Sequence, residues 1–149
     1  MRPLSPVAAA HRCVAAVLRA GDRAVDATVG NGHDTEFLAR LVGPGGRVLG
    51  LDSQAAAVAA TRERLTAAGL AGHVLVRQLG HEQLVTVVPE GWAGGVRAVM
   101  FNLGYLPGGD KGRLTRPDTT LAGLDGALTL LAPGGRLTVV AYPGHPGGE

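Results

Sequence analysis

The sequence has one cysteine, one lysine and no long unbroken hydrophobic run, and each scarcity excludes a class of protein. Cys13 has no second cysteine to pair with, so an internal disulfide is excluded, and its apolar surroundings predict a small buried residue. His11 and Arg12 interrupt the apolar stretch near the N-terminus, so neither a signal peptide nor a membrane span fits. We therefore expect a soluble, cytoplasmic protein.

A strong charge imbalance and low-complexity segments are also lacking. The formal net charge is +2 at pH 7 and the sequence pI is 9.2, which permits an RNA partner without requiring one. The 24 glycines and 9 prolines stay below the roughly 25–30% that marks low-complexity chains. No linker, charge run or repeat divides residues 1–149, so we expect a single domain with one core.

Short apolar runs alternate with helical patterns along the chain. This alternation predicts an α/β fold, a doubly wound and mostly parallel sheet with helices on both faces. Two glycine-rich turns, at 43–46 and 133–135, are each predicted to end a helix and start the next strand. The predicted helices cover 6–19, 34–41, 54–68, 82–88 and 119–131, and the predicted strands cover 23–29, 47–52, 74–79, 97–103 and 136–142.

Residues 26–35, Asp-Ala-Thr-Val-Gly-Asn-Gly-His-Asp-Thr, join the first strand to a helix. Gly30 and Gly32 permit a tight turn, and Asp34 with Thr35 is predicted to cap the helix. Asp52 ends the second strand, where it can accept hydrogen bonds from a ribose diol. A nucleotide-like ligand is therefore expected at this turn, although a turn without a ligand can have the same pattern.

Two ligand classes use such a turn. A dinucleotide requires a small third residue where this chain has Thr35, and it requires a free helix N-terminus for its pyrophosphate. Asp26 would repel a pyrophosphate but suits the ammonium and sulfonium end of S-adenosylmethionine, which we therefore favour. An NAD(P)-dependent oxidoreductase and a non-catalytic nucleotide-binding module remain as alternatives.

The ends of the other strands carry further candidate site residues. After the third strand, Gly80 allows close approach of an adenine and His81 can hydrogen-bond to it, unless His81 only caps the short helix. Gln54 lies within reach of the ribose and the adenine, although such a residue is often solvated. No group of side chains in the sequence indicates a metal site.

The fourth strand ends in Asn102, followed by Tyr105, a spacing that amine-directed methyltransferases use to hold an amine and stack on the target base. Lys111, Arg113 and Arg116 follow as either a phosphate-facing basic edge or a solvated loop. Asn102 and Tyr105 are thus the candidate catalytic pair, and the three basic residues are candidates for substrate binding.

These residues together resemble the rRNA methylase family that includes the bacterial tRNA 5-aminomethyl-2-thiouridine (mnm5s2U34) methyltransferases. The resemblance implies a class I, Rossmann-like methyltransferase with strand order 3-2-1-4-5 and S-adenosylmethionine as cofactor. It also implies a tRNA or other RNA substrate, with N-methylation of the 5-aminomethyl group of the wobble uridine. The matching segments are 26–35, 51–54, 80–81, 100–111, 115–120 and 142–149, of which the run from Phe101 to Lys111 is the most specific.

By the same resemblance, the donor would lie against three pairs of residues: Asn31 with His33, Asp52 with Gln54, and Gly80 with His81. The chain departs from the family at Leu79, where an acid is usual. The family also continues with another helix and two strands, so we expect a chain truncated at its C-terminus: a fragment, a decayed copy, or a sheet completed by a partner. A homodimer is left open, and no membrane partner is expected.

Overall fold

The computed structural model describes residues 2–103 and 117–141 of the 149-residue chain. Helices and strands alternate along these residues, as the hydrophobic pattern predicts. The helices are α1 (Pro6–Ala15), α2 (His33–Val42), α3 (Ala55–Ala67), α4 (Leu84–Val87) and α5 (Pro117–Leu130), and the strands are β1 (Arg23–Asp26), β2 (Arg47–Asp52), β3 (Val74–Gln78), β4 (Val96–Leu103) and β5 (Leu131–Ala141). Short 3₁₀ turns cover Ala71–His73 and His81–Gln83.

All five strands are parallel, in the order β3-β2-β1-β4-β5. The central strand β1 pairs on one side with β2, where Asp26 is opposite Gly50, and on the other with β4, where Asp26 is opposite Met100. The predicted fold class and strand order are confirmed. The carboxyl ends of β1, β2 and β4 therefore meet at one edge, where ligands gather in such sheets.

The core consists of two clusters, one on each face of the sheet, because successive strand residues point to opposite faces. Ala24 belongs to the cluster that includes α1, α2 and α3, whereas Val25 belongs to the cluster that includes α4 and α5. Both residues are fully buried. Burial on both faces explains why the strands appear as nearly continuous apolar runs in the sequence.

The first helix begins at a regular cap. The Ser5 hydroxyl accepts a hydrogen bond from the Ala8 amide at 3.1 Å, and Pro6 occupies the first helical position, where its missing N–H costs nothing. Within α1, Cys13 is only partly buried, with the Arg136 guanidinium 3.4 Å from its Sγ. The prediction of a buried cysteine was therefore wrong.

Three predicted boundaries differ from the structure by three residues or more, and the others agree within two residues. Helix α1 ends at Ala15 rather than at residue 19, and β1 ends at Asp26 rather than at residue 29. Strand β5 begins at Leu131, so the turn predicted at 133–135 lies inside it. Val96 pairs with Leu131 and Ala98 with Arg136, so residues 132–135 form a bulge opposite Arg97.

No helix in the part of the chain that the structure describes is long and apolar enough to cross a membrane.

Candidate functional site

The turn between β1 and α2 has the backbone that its glycines predict. Gly30 has φ +54° and Gly32 has φ +91°, both in the left-handed region that favours glycine. Helix α3 holds the turn from the side: the Thr61 hydroxyl donates to the Gly30 carbonyl at 3.1 Å, and Arg64 Nε donates to the Asn31 carbonyl at 3.0 Å. The turn is thus fixed by tertiary contacts as well as by its own sequence.

Asp26, at the end of β1, is a fully buried carboxyl group. Its Oδ2 accepts a 2.6 Å hydrogen bond from the Thr35 hydroxyl, and its Oδ1 accepts one from the Thr28 amide at 3.1 Å. Burial, reinforced by repulsion from Asp34, raises the pKa of Asp26 to about 7, even though these two hydrogen bonds favour the charged form. The site therefore contains an acid without a cationic partner among the described residues.

Asp34 and Thr35 do not cap α2, contrary to prediction. The cap residue is Gly32, which makes no side-chain hydrogen bond, and Thr35 is used by Asp26. Asp34 Oδ1 lies 2.6 Å from His11 Nε2, and the His11 ring stacks on Phe37 with centroids 3.9 Å apart. Both side chains therefore make tertiary contacts instead of capping the helix: Thr35 bonds to Asp26, and Asp34 connects the start of α2 to His11 of α1.

Asp52 connects the ends of β1 and β2. Its Oδ2 accepts from the Gly30 amide at 3.1 Å and its Oδ1 accepts from the Gln54 amide at 2.9 Å. The carboxylate is therefore held at a fixed orientation, is only partly buried, and each oxygen keeps a lone pair for a further donor. A pair of ribose hydroxyls would fit this arrangement.

Gly80 and His81 form the start of the turn after β3, and His81 is 8% exposed. Its ring meets Phe101 edge-on with centroids 5.4 Å apart. Burial lowers the pKa of His81, while Glu82, Asp52 and the Ala27 backbone act in the opposite direction. Nε2 is buried and has no hydrogen-bond partner among the described residues. The Glu82 carboxylate fills the space that a Cβ on Gly80 would occupy.

Asn102 lies on β4 beside the first turn. Its backbone amide donates to the Thr28 hydroxyl at 2.6 Å, and the residue is partly buried. This contact joins the predicted acceptor asparagine to the segment that precedes Gly30. Tyr105, Lys111, Arg113 and Arg116 lie outside the described residues.

Asn31 and His33 are both exposed, on the α3 side of the turn. They line an open groove of about 740 Å³ between α2 and α3, together with Glu36, Arg40 and Arg64. Arg64 lies 3.3 Å from His33 Nε2 and 3.2 Å from Glu36 Oε1. Hydrogen bonds thus connect these two residues to α3, whereas Asp26, Asp52 and Asn102 are connected through the strand ends.

Sequence reasoning missed the contacts of four residues that shape the site: Thr28, Thr35, Thr61 and His11. Thr28 and Thr35 lie inside the segment that the sequence singled out, so their hydroxyls were visible but their partners were not. Thr61 and His11 come from other helices and carry no local signal. As for metal ions, the described ranges contain no group of three or more His, Cys, Asp or Glu side chains that could hold one.

Comparison with known proteins identifies relatives along nearly the whole chain. The family model described as Putative rRNA methylase matches residues 48–149. A chloroplastic tRNA (mnm5s2U34)-methyltransferase of Arabidopsis thaliana is 42% identical over 148 residues, covering 94% of this chain and 53% of that protein. This chain therefore spans about half the length of that curated relative.

Two solved structures are similar over most of both chains. A putative rRNA-methylase from Clostridium thermocellum has a TM-score of 0.93 at 42% identity and covers 99% of this chain and 77% of its own. A putative methyltransferase from Streptococcus mutans, solved in complex with SAH, has a TM-score of 0.83 at 35% identity, covering 95% and 74%. With the family model matching more than half of its residues, this chain belongs to the family described as Putative rRNA methylase.

Proposed function

We propose that this protein is an S-adenosylmethionine-dependent RNA methyltransferase that N-methylates the 5-aminomethyl group of the tRNA wobble uridine. The observation that carries the proposal is the carboxylate of Asp52, which is held by the amides of Gly30 and Gln54 where β1 and β2 end. This geometry suits the ribose of a nucleoside ligand. The Streptococcus mutans relative, which was solved with SAH, supports the choice of donor.

The residues at the strand ends fit the parts of the donor. Asp52 would accept hydrogen bonds from the ribose hydroxyls. His81 Nε2 is buried without a partner among the described residues and would bond to the adenine once the Glu82 carboxylate leaves the space beside Gly80. The Asp26 carboxyl has no cationic partner among the described residues, so it would favour a cation near the first turn. Because Asp26 is fully buried, it would act on that cation through its electric field and would not touch it.

Bound S-adenosylmethionine supplies an electrophilic methyl group on a sulfonium. The protein's main tasks are then to align the acceptor's lone pair with that methyl group and to exclude water. An aminomethyl group has an unperturbed pKa on the order of 10, by analogy with lysine, so it must lose its proton first. An apolar pocket around the acceptor would lower that pKa, and the Asn102 carboxamide would accept a hydrogen bond from the neutral amine.

The substrate is the finer part of the proposal. The Arabidopsis relative is named for mnm5s2U34 of tRNA, and the mildly basic pI of 9.2 is compatible with an RNA partner. In this proposal Lys111, Arg113 and Arg116 contact phosphates and Tyr105 stacks on the target base. The reported relatives give no support to the NAD(P)-dependent oxidoreductase considered from the sequence.

Methyl transfer from labelled S-adenosylmethionine tests this function directly. We expect incorporation into tRNA carrying 5-aminomethyl-2-thiouridine and none into tRNA that lacks the aminomethyl group. Asn102→Ala should abolish transfer while leaving SAH binding unchanged, whereas Gln83→Ala, an exposed change, should alter neither. Full turnover by Asn102→Ala would reject the role given to the asparagine, and binding of SAH without any transfer would favour a non-catalytic module.

A further inference from the structure

Thr28 lies where the chain leaves the sheet, and its hydroxyl interrupts the hydrogen-bond ladder between β1 and β4. The last regular bond of that ladder runs from the Ala27 amide to the Met100 carbonyl at 2.8 Å. If the parallel ladder continued, its next hydrogen bond would run from the Asn102 amide to the Ala27 carbonyl. It donates instead to Thr28 Oγ1, at 2.6 Å.

The other side of β1 shows a matching irregularity. By the register of β1 with β2, the Thr28 amide should bond to the Leu51 carbonyl. That carbonyl accepts from the Val29 amide at 2.9 Å, while the Thr28 amide donates to Asp26 Oδ1. Thr28 is thus an extra residue in the strand, an arrangement like a β-bulge, which often re-aims a side chain beside a functional site.

This arrangement connects the two halves of the site through one side chain. Thr28 reaches the backbone of Asn102 through its hydroxyl, and the chain that follows it reaches Asp52 through the Gly30 amide. The position of Asn102 relative to the first turn therefore depends on the Thr28 hydroxyl.

We propose that Thr28 is a positioning residue for methyl transfer, whose hydroxyl sets the placement of Asn102 against the donor turn. This inference rests on the function proposed above. Alignment of the acceptor with the methyl group is the main source of rate in such a reaction, and a shift of about 1 Å can cost about 100-fold. Loss of the hydroxyl should therefore affect turnover more than donor binding.

Thr28→Val and Thr28→Ser separate the hydroxyl from the bulk of the side chain. In Thr28→Val we expect kcat to fall by about 10- to 100-fold, with the KM for S-adenosylmethionine and the Kd for SAH within about twofold. Amide hydrogen exchange at Asn102 should be at least about tenfold faster, because that amide loses its acceptor. Thr28→Ser should restore both kcat and protection of the amide.

Thr129→Val is the matched control, since it removes a threonine hydroxyl that bonds to the Gly126 carbonyl at 2.7 Å near the end of α5. It should leave kcat and the Asn102 amide unchanged. Wild-type kcat and protection in Thr28→Val would overturn the proposal, and so would a serine variant as impaired as the valine variant. The exchange measurement does not require methyl transfer. If the chain transfers no methyl group, the proposed function is refuted, but hydrogen exchange at Asn102 still tests whether the Thr28 hydroxyl holds that amide.

Discussion

Asp26 is the residue whose chemistry departs furthest from its ordinary behaviour. The pKa of its carboxyl group is about 7 in the folded chain, compared with the ordinary value of 3.8 in the unfolded chain. Between these values the folded state binds more protons, so stability is fully present below the lower value and declines as pH rises through the window. The decline should approach about 1 kcal/mol per pH unit.

Asp26→Asn should remove this pH dependence. The amide group has nearly the same shape, and the Thr35 hydroxyl can turn to accept from the new Nδ2. We expect urea unfolding to show a flatter stability curve between about pH 4 and about pH 7 and a gain in stability relative to wild type at the upper end. An unchanged slope in the asparagine variant would show that another group causes the pH dependence.

Asp52→Asn tests the other acid of the site. One of the two oxygens that accept from Gly30 and Gln54 becomes an amide donor, so one backbone N–H loses its partner and a ribose acceptor is lost. The loss of about 1–3 kcal/mol of binding free energy should raise the Kd for SAH by about 10- to 100-fold. Asp22→Asn, at a carboxyl that accepts from the Arg19 amide at 2.8 Å, is the control and should leave the Kd unchanged.

The acids and glycines of the site could be predicted from the sequence because their types and spacing are local. The hydroxyl partners could not. Whether Thr35 caps its helix or bonds to Asp26 depends on how the strand end and the helix meet, which the sequence pattern does not record.

At the scale of elements, helix α3 packs closely against the turn between β1 and α2. A Cβ added at Gly32 would lie 3.0 Å from Thr61 Oγ1 and 3.2 Å from the Arg64 side chain, at a φ of +91°. At Gly69 the φ is +74°, but the same added atom would meet nothing within 4 Å. The two glycines share the backbone constraint and differ in the contact with α3.

Gly32→Ala and Gly69→Ala together isolate that contact. Both should lose about 1–2 kcal/mol of stability from the left-handed backbone. Only Gly32→Ala should also weaken SAH binding, because the turn must move away from α3. The stabilities are measured by urea unfolding and the affinities by calorimetry, and equal SAH affinity in the two variants would contradict this account of the turn.

The element pattern was predictable because strands buried on both faces and amphipathic helices leave distinct periodicities. The boundaries were less so. Strand β1 was predicted to continue to residue 29 because residues 27–29 are apolar or β-branched, but the Asp26 carboxyl captures the Thr28 amide and ends the regular pairing. The bulge at 132–135 was predicted to be a turn because glycine is common in both tight turns and β-bulges.

At the scale of the molecule, the sheet brings to one edge three segments that are distant in sequence. The strand order 3-2-1-4-5 places the ends of β1 and β2 side by side with the end of β4. The alternation of elements predicted the parallel sheet, and the family resemblance implied this order. A homodimer stays a prediction, which sedimentation of the purified chain would test. A cytoplasmic location also stays a prediction, and the Arabidopsis relative is chloroplastic.

The central claim is that the strand ends bind a sulfonium nucleoside, and calorimetry of the full chain with SAH, NAD and NADP tests it most directly. We predict saturable binding of SAH with one site per chain and no measurable heat from either dinucleotide. Binding of NAD or NADP in preference to SAH would contradict the account.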